Sequence, residues 1–175
     1  KWADSRRRGV ARKAAHQVLR ARGEPVTYLS LQAAAMIELA RQDALVSPAL
    51  EPGEAYTHVR DLLEETFTQR SGLARLGGSP HALDVGKWWL EDTSGVESPL
   101  GDRVEMAVVK FLAENPGRSL AVLDAAMCAA FPGLLTPEQA LVRECLESYG
   151  ERHPVDAGWY LRGDDRPDRR ERDVA

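Results

Sequence analysis

The chain has 175 residues, 43% of them hydrophobic and 29% charged, a composition that excludes fibrous and fully disordered classes and fits one or two small folded domains. A formal net charge of −4 argues against a surface built throughout for polyanions. No apolar run approaches the roughly 20 residues of a membrane span, and the Arg-rich start lacks the apolar region of a signal peptide, so a cytoplasmic location is expected.

The chain opens on Lys1-Trp2 rather than Met, from which we expect a piece of a longer protein. A first helix is predicted over 5–22, with Val10, Ala14, Ala15, Val18 and Leu19 on the buried stripe. Basic residues crowd this segment: Arg6, Arg7, Arg8, Arg12, Lys13, Arg20 and Arg22 are opposed only by Asp4, although the chain as a whole is acidic. Such asymmetry suits a local nucleic-acid contact, and equally a solvated face or one that pairs with an acidic surface. A second helix over 27–42 offers Leu31, Ala34, Ala35, Ile37, Leu39 and Ala40 as a close-packing surface, and the Pro- and Gly-containing segment 47–53 reads as a loop.

The third helix, 54–70, carries Tyr56, Val59, Leu62, Leu63 and Phe67 on its apolar stripe. Its outward residues are His58, Arg60, Asp61, Glu64, Glu65, Thr68 and Gln69. A helix that reads base edges in the major groove needs Arg, Lys, Asn or Gln beside phosphates, and three carboxylates against one Arg would be repelled there. Two strands, 73–76 and 84–90, then flank Gly77-Gly78-Ser79-Pro80-His81 as a hairpin, in which Trp88 and Trp89 must point to opposite faces.

The polar, Gly- and Pro-containing stretch 93–99 reads as a linker between a first module, 1–92, and a second, 100–163. Val104, Ala107, Val108, Phe111 and Leu112 predict the second module's first helix. Ser119 should cap its second helix, where Leu120, Leu123, Ala126, Met127, Ala130 and Phe131 face inward. Thr136, Pro137 and Gln139 have the spacing of a capping box opening a third helix with Val142, Cys145, Leu146 and Tyr149 inward, stopped by Gly150. A short strand over 157–161 follows, and then a charged tail, 164–175, expected to be disordered. Helix, helix, capped helix, strand is the order of a winged helix-turn-helix. The fold class expected is therefore mainly α with small β wings, as two tandem modules. Leu31-Gln32-Ala33-Ala34 is echoed by Leu123-Asp124-Ala125-Ala126, and Lys87-Trp88-Trp89-Leu90 by Gly158-Trp159-Tyr160-Leu161, in the same order.

No set of nucleophile, base and orienting group stands out, so the chain by itself is expected to be non-catalytic, with no cofactor. His16, His58, His81 and His153 are scattered and read as solvated. Cys128 and Cys145 lack zinc-site spacing and read as small core hydrophobes, so no metal is expected. If the chain touches DNA, the candidates are Arg6, Arg7, Arg8, Arg12 and Lys13, with Arg75, His81 and Lys87 of the wing as a second set. Five phosphate contacts would give a slope of about −4.5 in log K against log salt.

The segment Phe131-Pro132-Gly133-Leu134-Leu135-Thr136-Pro137 with Leu141-Val142-Arg143-Glu144-Cys145-Leu146-Glu147-Ser148-Tyr149 resembles the C-terminal region of large bacterial DNA methylase-like proteins, the putative adenine-specific methyltransferases. The stretch 23–34 is similar to the part that precedes it there. In that group methyl transfer belongs to a separate S-adenosylmethionine-binding domain with an Asn- or Asp-Pro-Pro-Tyr motif, absent here, so no catalytic residue carries over. The resemblance implies an accessory module that positions DNA or a partner in a restriction or phage-defence assembly. The alternatives are a protein–protein subunit similar to the acidic partners of chromosome-condensing complexes, and a transcription regulator. Partners expected are DNA, through the basic helix, and other domains or subunits of a larger assembly.

Overall fold

The computed structural model describes residues 2–42, 52–69, 71–79 and 82–165. His81, most of the 47–53 segment, the tail from 166 and the side chain of Tyr56 lie outside the described residues. The described residues are mainly helical, with two small two-stranded antiparallel sheets. They divide into two compact units, 1–97 and 98–175. The stretch read as a linker is partly tied to the first unit, since the Glu97 N–H donates to the Arg20 carbonyl at 3.0 Å.

The first unit contains α1 (Trp2–Arg22), α2 (Tyr28–Arg41), α3 (Pro52–Thr68), β1 (Leu73–Leu76) and β2 (Lys87–Leu90). Ala11, Ala14, Ala15, Val18 and Leu19 of α1 are buried, as are Leu31, Ala34, Ala35 and Leu39 of α2, and so many alanines let two backbones come close. Ile37 and Ala40, expected on that surface, are exposed. Ile37 follows Ala35 by two residues, which is more than half a helical turn, so it points away from the stripe its neighbours form. Val59, Leu62, Leu63, Thr66 and Phe67 form the buried face of α3, and Phe67 joins Tyr28 and Trp88 in a ring cluster with centroids 6.0 to 6.4 Å apart.

In the hairpin, Leu73 pairs with Leu90 and Leu76 with Lys87. Trp88 is buried and Trp89 half-buried, as alternation demands. The second strand starts at Lys87 rather than 84, because the preceding residues close as turns: Val85 N–H donates to the Ala82 carbonyl at 3.2 Å. Gly86, at φ +91, lies where a Cβ would come within 2.7 Å of the Leu76 carbonyl oxygen.

The second unit contains α4 (Leu100–Glu114), α5 (Leu120–Ala130), a 3-10 turn (Gly133–Leu135), α6 (Gln139–Tyr149), β3 (Gly150–Arg152), β4 (Trp159–Leu161) and a terminal 3-10 turn (Gly163–Asp165). Leu100, Val104, Val108 and Leu112 recur every fourth position and meet Leu123, Met127, Val142, Cys145, Leu146 and Leu161 in one core. Ala130 and Cys128, expected inward, are exposed. They lie three and one residues past Met127, and α5 turns only a narrow stripe, Leu123 and Met127, fully inward.

Two boundaries differ from expectation. Thr136 does not cap α6: its hydroxyl donates back to the Phe131 carbonyl at 2.9 Å, Glu138 takes the N-cap position without a side-chain bond, and the helix starts at Gln139. The hydroxyl closes the 3-10 turn instead, and Pro137 keeps Thr136 out of helical backbone, at φ −55 and ψ 121. Gly150, read as a stop, opens β3, which pairs with β4 from Gly150↔Leu161 to Arg152↔Trp159. The strand read at 157–161 is thus the return arm of a hairpin.

Both units repeat one plan of helix, bridging residue, helix, helix, strand, strand. Val26, between α1 and α2, bonds Trp88 in both directions at 3.0 and 2.7 Å; between α4 and α5, Gly117 N–H donates to the Trp159 carbonyl at 2.8 Å and Trp159 N–H to the Arg118 carbonyl at 3.0 Å. Two residues beyond each bridge a helix begins, after Thr27 or Ser119, whose backbone angles nearly coincide. A correspondence within the third helices comes into view from this register: Val59-Arg60-Asp61-Leu62-Leu63-Glu64 and Val142-Arg143-Glu144-Cys145-Leu146-Glu147 present the same buried and charged positions.

Candidate nucleic-acid interface

The basic face of α1 is divided by what lies beside it. Arg6, Arg12 and Lys13 are exposed, and Arg6 and Lys13, two turns apart, share one face. Arg7 is half-buried and donates to Asp4 at 3.3 Å; Asp4 also lies 3.5 Å from the His58 ring. Arg8 donates to the Glu65 carboxylate of α3 at 2.5 Å. Two of the five cations therefore face carboxylates within the first unit. Asp4 could be paired from sequence by its i, i+3 spacing to Arg7, but Glu65 is 57 positions from Arg8 and only packing brings them together.

The outward faces of the third helices are acidic. On α3, Arg60 bonds the adjacent Asp61 at 2.8 and 3.0 Å beside exposed Glu64 and Glu65; on α6, Arg143 is exposed among Glu144 and Glu147. Neither face concentrates positive charge.

In the first hairpin Lys87 is exposed, whereas the Arg75 guanidinium is engaged within its own loop. It donates to the carbonyls of Ser79 and Val85 at 2.6 Å each and to that of Ala82, and lies 5.5 Å from the centre of the Trp88 ring. Its geometry is that of a clamp on the loop. In the second hairpin Arg152 lies 5.8 Å over Trp159, its cross-strand partner, as Arg75 is of Trp88.

His16, the Asp156–Tyr160 pair and Cys145 each have defined surroundings. His16, read as solvated, is half-buried and donates from Nε2 to the Ser71 carbonyl at 2.7 Å, so it joins α1 to the segment between α3 and β1. In the second hairpin turn the Tyr160 hydroxyl donates to Asp156 at 2.6 Å and the Gly158 N–H at 2.9 Å, and these bonds, helped by His153, hold the Asp156 carboxyl below its ordinary range while pushing the Tyr160 hydroxyl up. Burial, then the charges of Glu105 and Glu144, pushes the Cys145 thiol up and so keeps it from being a thiolate at neutral pH. Among the described residues no group of three or more His, Cys, Asp or Glu could hold a metal ion, and no helix is long and apolar enough to cross a membrane.

Comparisons with protein-family models, with curated proteins and with solved structures find no match to this chain.

Proposed function

We propose that the chain is a pair of winged helix-turn-helix modules that act as a non-catalytic accessory, positioning DNA for a bacterial DNA-modification assembly of the methylase or phage-defence kind. The observation that carries the DNA contact is the solvent-facing cation set Arg6, Arg12 and Lys13 on α1, set against third helices whose outer faces are acidic. The winged-helix reading is supported by the repeated order of elements and by Val26 and Arg118, each two positions before a second helix, which pair with the hairpin's return strand. The DNA-modification context is supported by the resemblance of 131–149 and 23–34 to methylase-like proteins.

Contact through this face is backbone contact, which orients a protein on the duplex without reading its sequence. Three phosphate contacts give a slope of about −2.7 in log K against log salt. In an anisotropy titration of the chain with duplex DNA at low salt, weak binding with that slope is expected. Changing Arg6, Arg12 and Lys13 together to Ala should remove it, whereas Arg60→Ala and Arg143→Ala should leave it nearly unchanged. Base-specific binding lost on Arg60→Ala would overturn the reading.

A second reading, a protein–protein subunit, is favoured by one contact: the Arg8–Glu65 pair shows a carboxylate already received by the basic face. Absence of DNA binding at roughly tens of micromolar protein, in the range where non-specific contacts are detected, would make this second reading the better one.

A further inference from the structure

The outer face of α4 carries a groove of about 510 Å³ that DNA contact through α1 does not use. Met106, Val109, Ala113 and Tyr149 supply its apolar lining, and Glu105, Glu114 and Asp165 supply three carboxylates against one cation, Lys110. Met106 is 73% exposed, a large apolar side chain standing in water beside the other apolar groups of the groove. Lys110 lies 3.9 Å from Glu114. Glu105 accepts a hydrogen bond from the Tyr149 hydroxyl, which fixes the carboxylate at the groove. Among the described residues the groove thus combines an apolar lining with more carboxylates than cations.

The internal repeat shows that this chemistry is a choice of the second unit. When the buried Val104, Val108 and Leu112 of α4 are set on the buried Ala11, Ala15 and Leu19 of α1, Glu105, Met106 and Ala113 fall on Arg12, Lys13 and Arg20. The same outer face is cationic in one copy and apolar with carboxylates in the other. Nothing in the core of the second unit requires Met106 outside, because the inward stripe of α4 is complete without it.

We propose that this groove receives a basic amphipathic segment of a partner protein, with a large apolar side chain over Met106, Val109 and Ala113, and Lys or Arg side chains near Glu105, Glu114 and Asp165. Its volume falls within the range of roughly 300–1,000 Å³ that small ligand sites span, enough for one or two large side chains. The mode is an apolar helix face laid into a groove, with charge selecting the partner's sign. The proposal does not depend on DNA binding by α1.

The test uses the full chain and a fluorescent synthetic peptide of Leu and Lys with leucines at helical spacing, beside the same peptide with Glu in place of Lys. The lysine peptide should bind, more weakly as salt rises, and shift the methyl resonance of Met106, while the glutamate peptide should not bind. The exposed double change Ala113→Arg with Glu114→Lys should weaken binding about tenfold or more. Met106→Lys serves as an independent variant should that pair unfold the chain, and Val122→Asp on α5 should leave binding unchanged. Any one of four results would overturn the proposal: no binding of the lysine peptide at roughly millimolar concentration, equal binding of the glutamate peptide, indifference to the α4 variants, or an equal loss on Val122→Asp.

Discussion

The two units use the same plan and stabilise it differently. In the first hairpin Arg75 clamps three carbonyls of a long loop and lies over Trp88; in the second, Arg152 lies over Trp159, and the shorter turn is held by Asp156, which accepts from the Tyr160 hydroxyl and the Gly158 N–H. The buried framework is alike in both because volume and pairing constrain it, whereas the loop and outer helix faces answer only to water and partners. The same freedom lets one copy of the first helix carry Arg12 and Lys13 where the other carries Glu105 and Met106.

The largest effects should come from the third helices, whose buried leucines Leu63 and Leu146 occupy matching positions. Each change to Ala is expected to destabilise its own unit by about 2–5 kcal/mol, read as a lowered denaturation midpoint. If Leu146→Ala left thermal unfolding untouched, the correspondence of the two cores would fail. Next in size is the clamp. Arg75→Ala should cost roughly 1.5–3 kcal/mol through hydrogen bonds made by a charged group, with some loss to solvent screening, whereas Arg152→Ala should cost about 0.5–1 kcal/mol through its ring contact alone. Equal losses in urea unfolding would show that the two hairpins are held in the same way.

A smaller contrast concerns the caps. Thr27 accepts from the Ser30 N–H at 3.3 Å, while Ser119, in nearly the same backbone geometry, makes no side-chain cap bond. Thr27→Ala should cost about 1 kcal/mol, and Ser119→Ala only a few tenths. Smallest is a pH effect confined to the second hairpin. Since the folded Asp156 carboxyl lies below its ordinary range, its contribution is present above the unfolded carboxylate pKa and is lost as pH falls through the folded value. The Tyr160 hydroxyl is raised by the same bond, so its contribution holds below the ordinary tyrosine range and is lost in alkali as pH rises through the folded value. Stability of Asp156→Asn followed across both ranges should be flatter than that of the parent chain, and identical profiles would remove the hydrogen bond from the account.

Periodicity alone disclosed the helices, because an apolar stripe such as Val104, Val108 and Leu112 repeats wherever one helix face must leave water. It disclosed the Trp88–Trp89 alternation for the same reason, and the Arg-rich start of the chain as the one strongly basic stretch. Local chemistry was less decisive. Thr136 has a hydroxyl that satisfies either a following N–H or the Phe131 carbonyl, and the 3-10 turn chose the second. β3 is three residues, Gly150–Arg152, too short to show alternation, and exists because Trp159–Leu161 returns beside it. Tertiary structure alone decided which cations of α1 face solvent, since Arg8 meets Glu65 only after α3 folds back against α1. It also decided that Tyr149 of α6 should wall a groove on α4, because a hydrogen bond between residues 44 positions apart leaves no trace in local sequence.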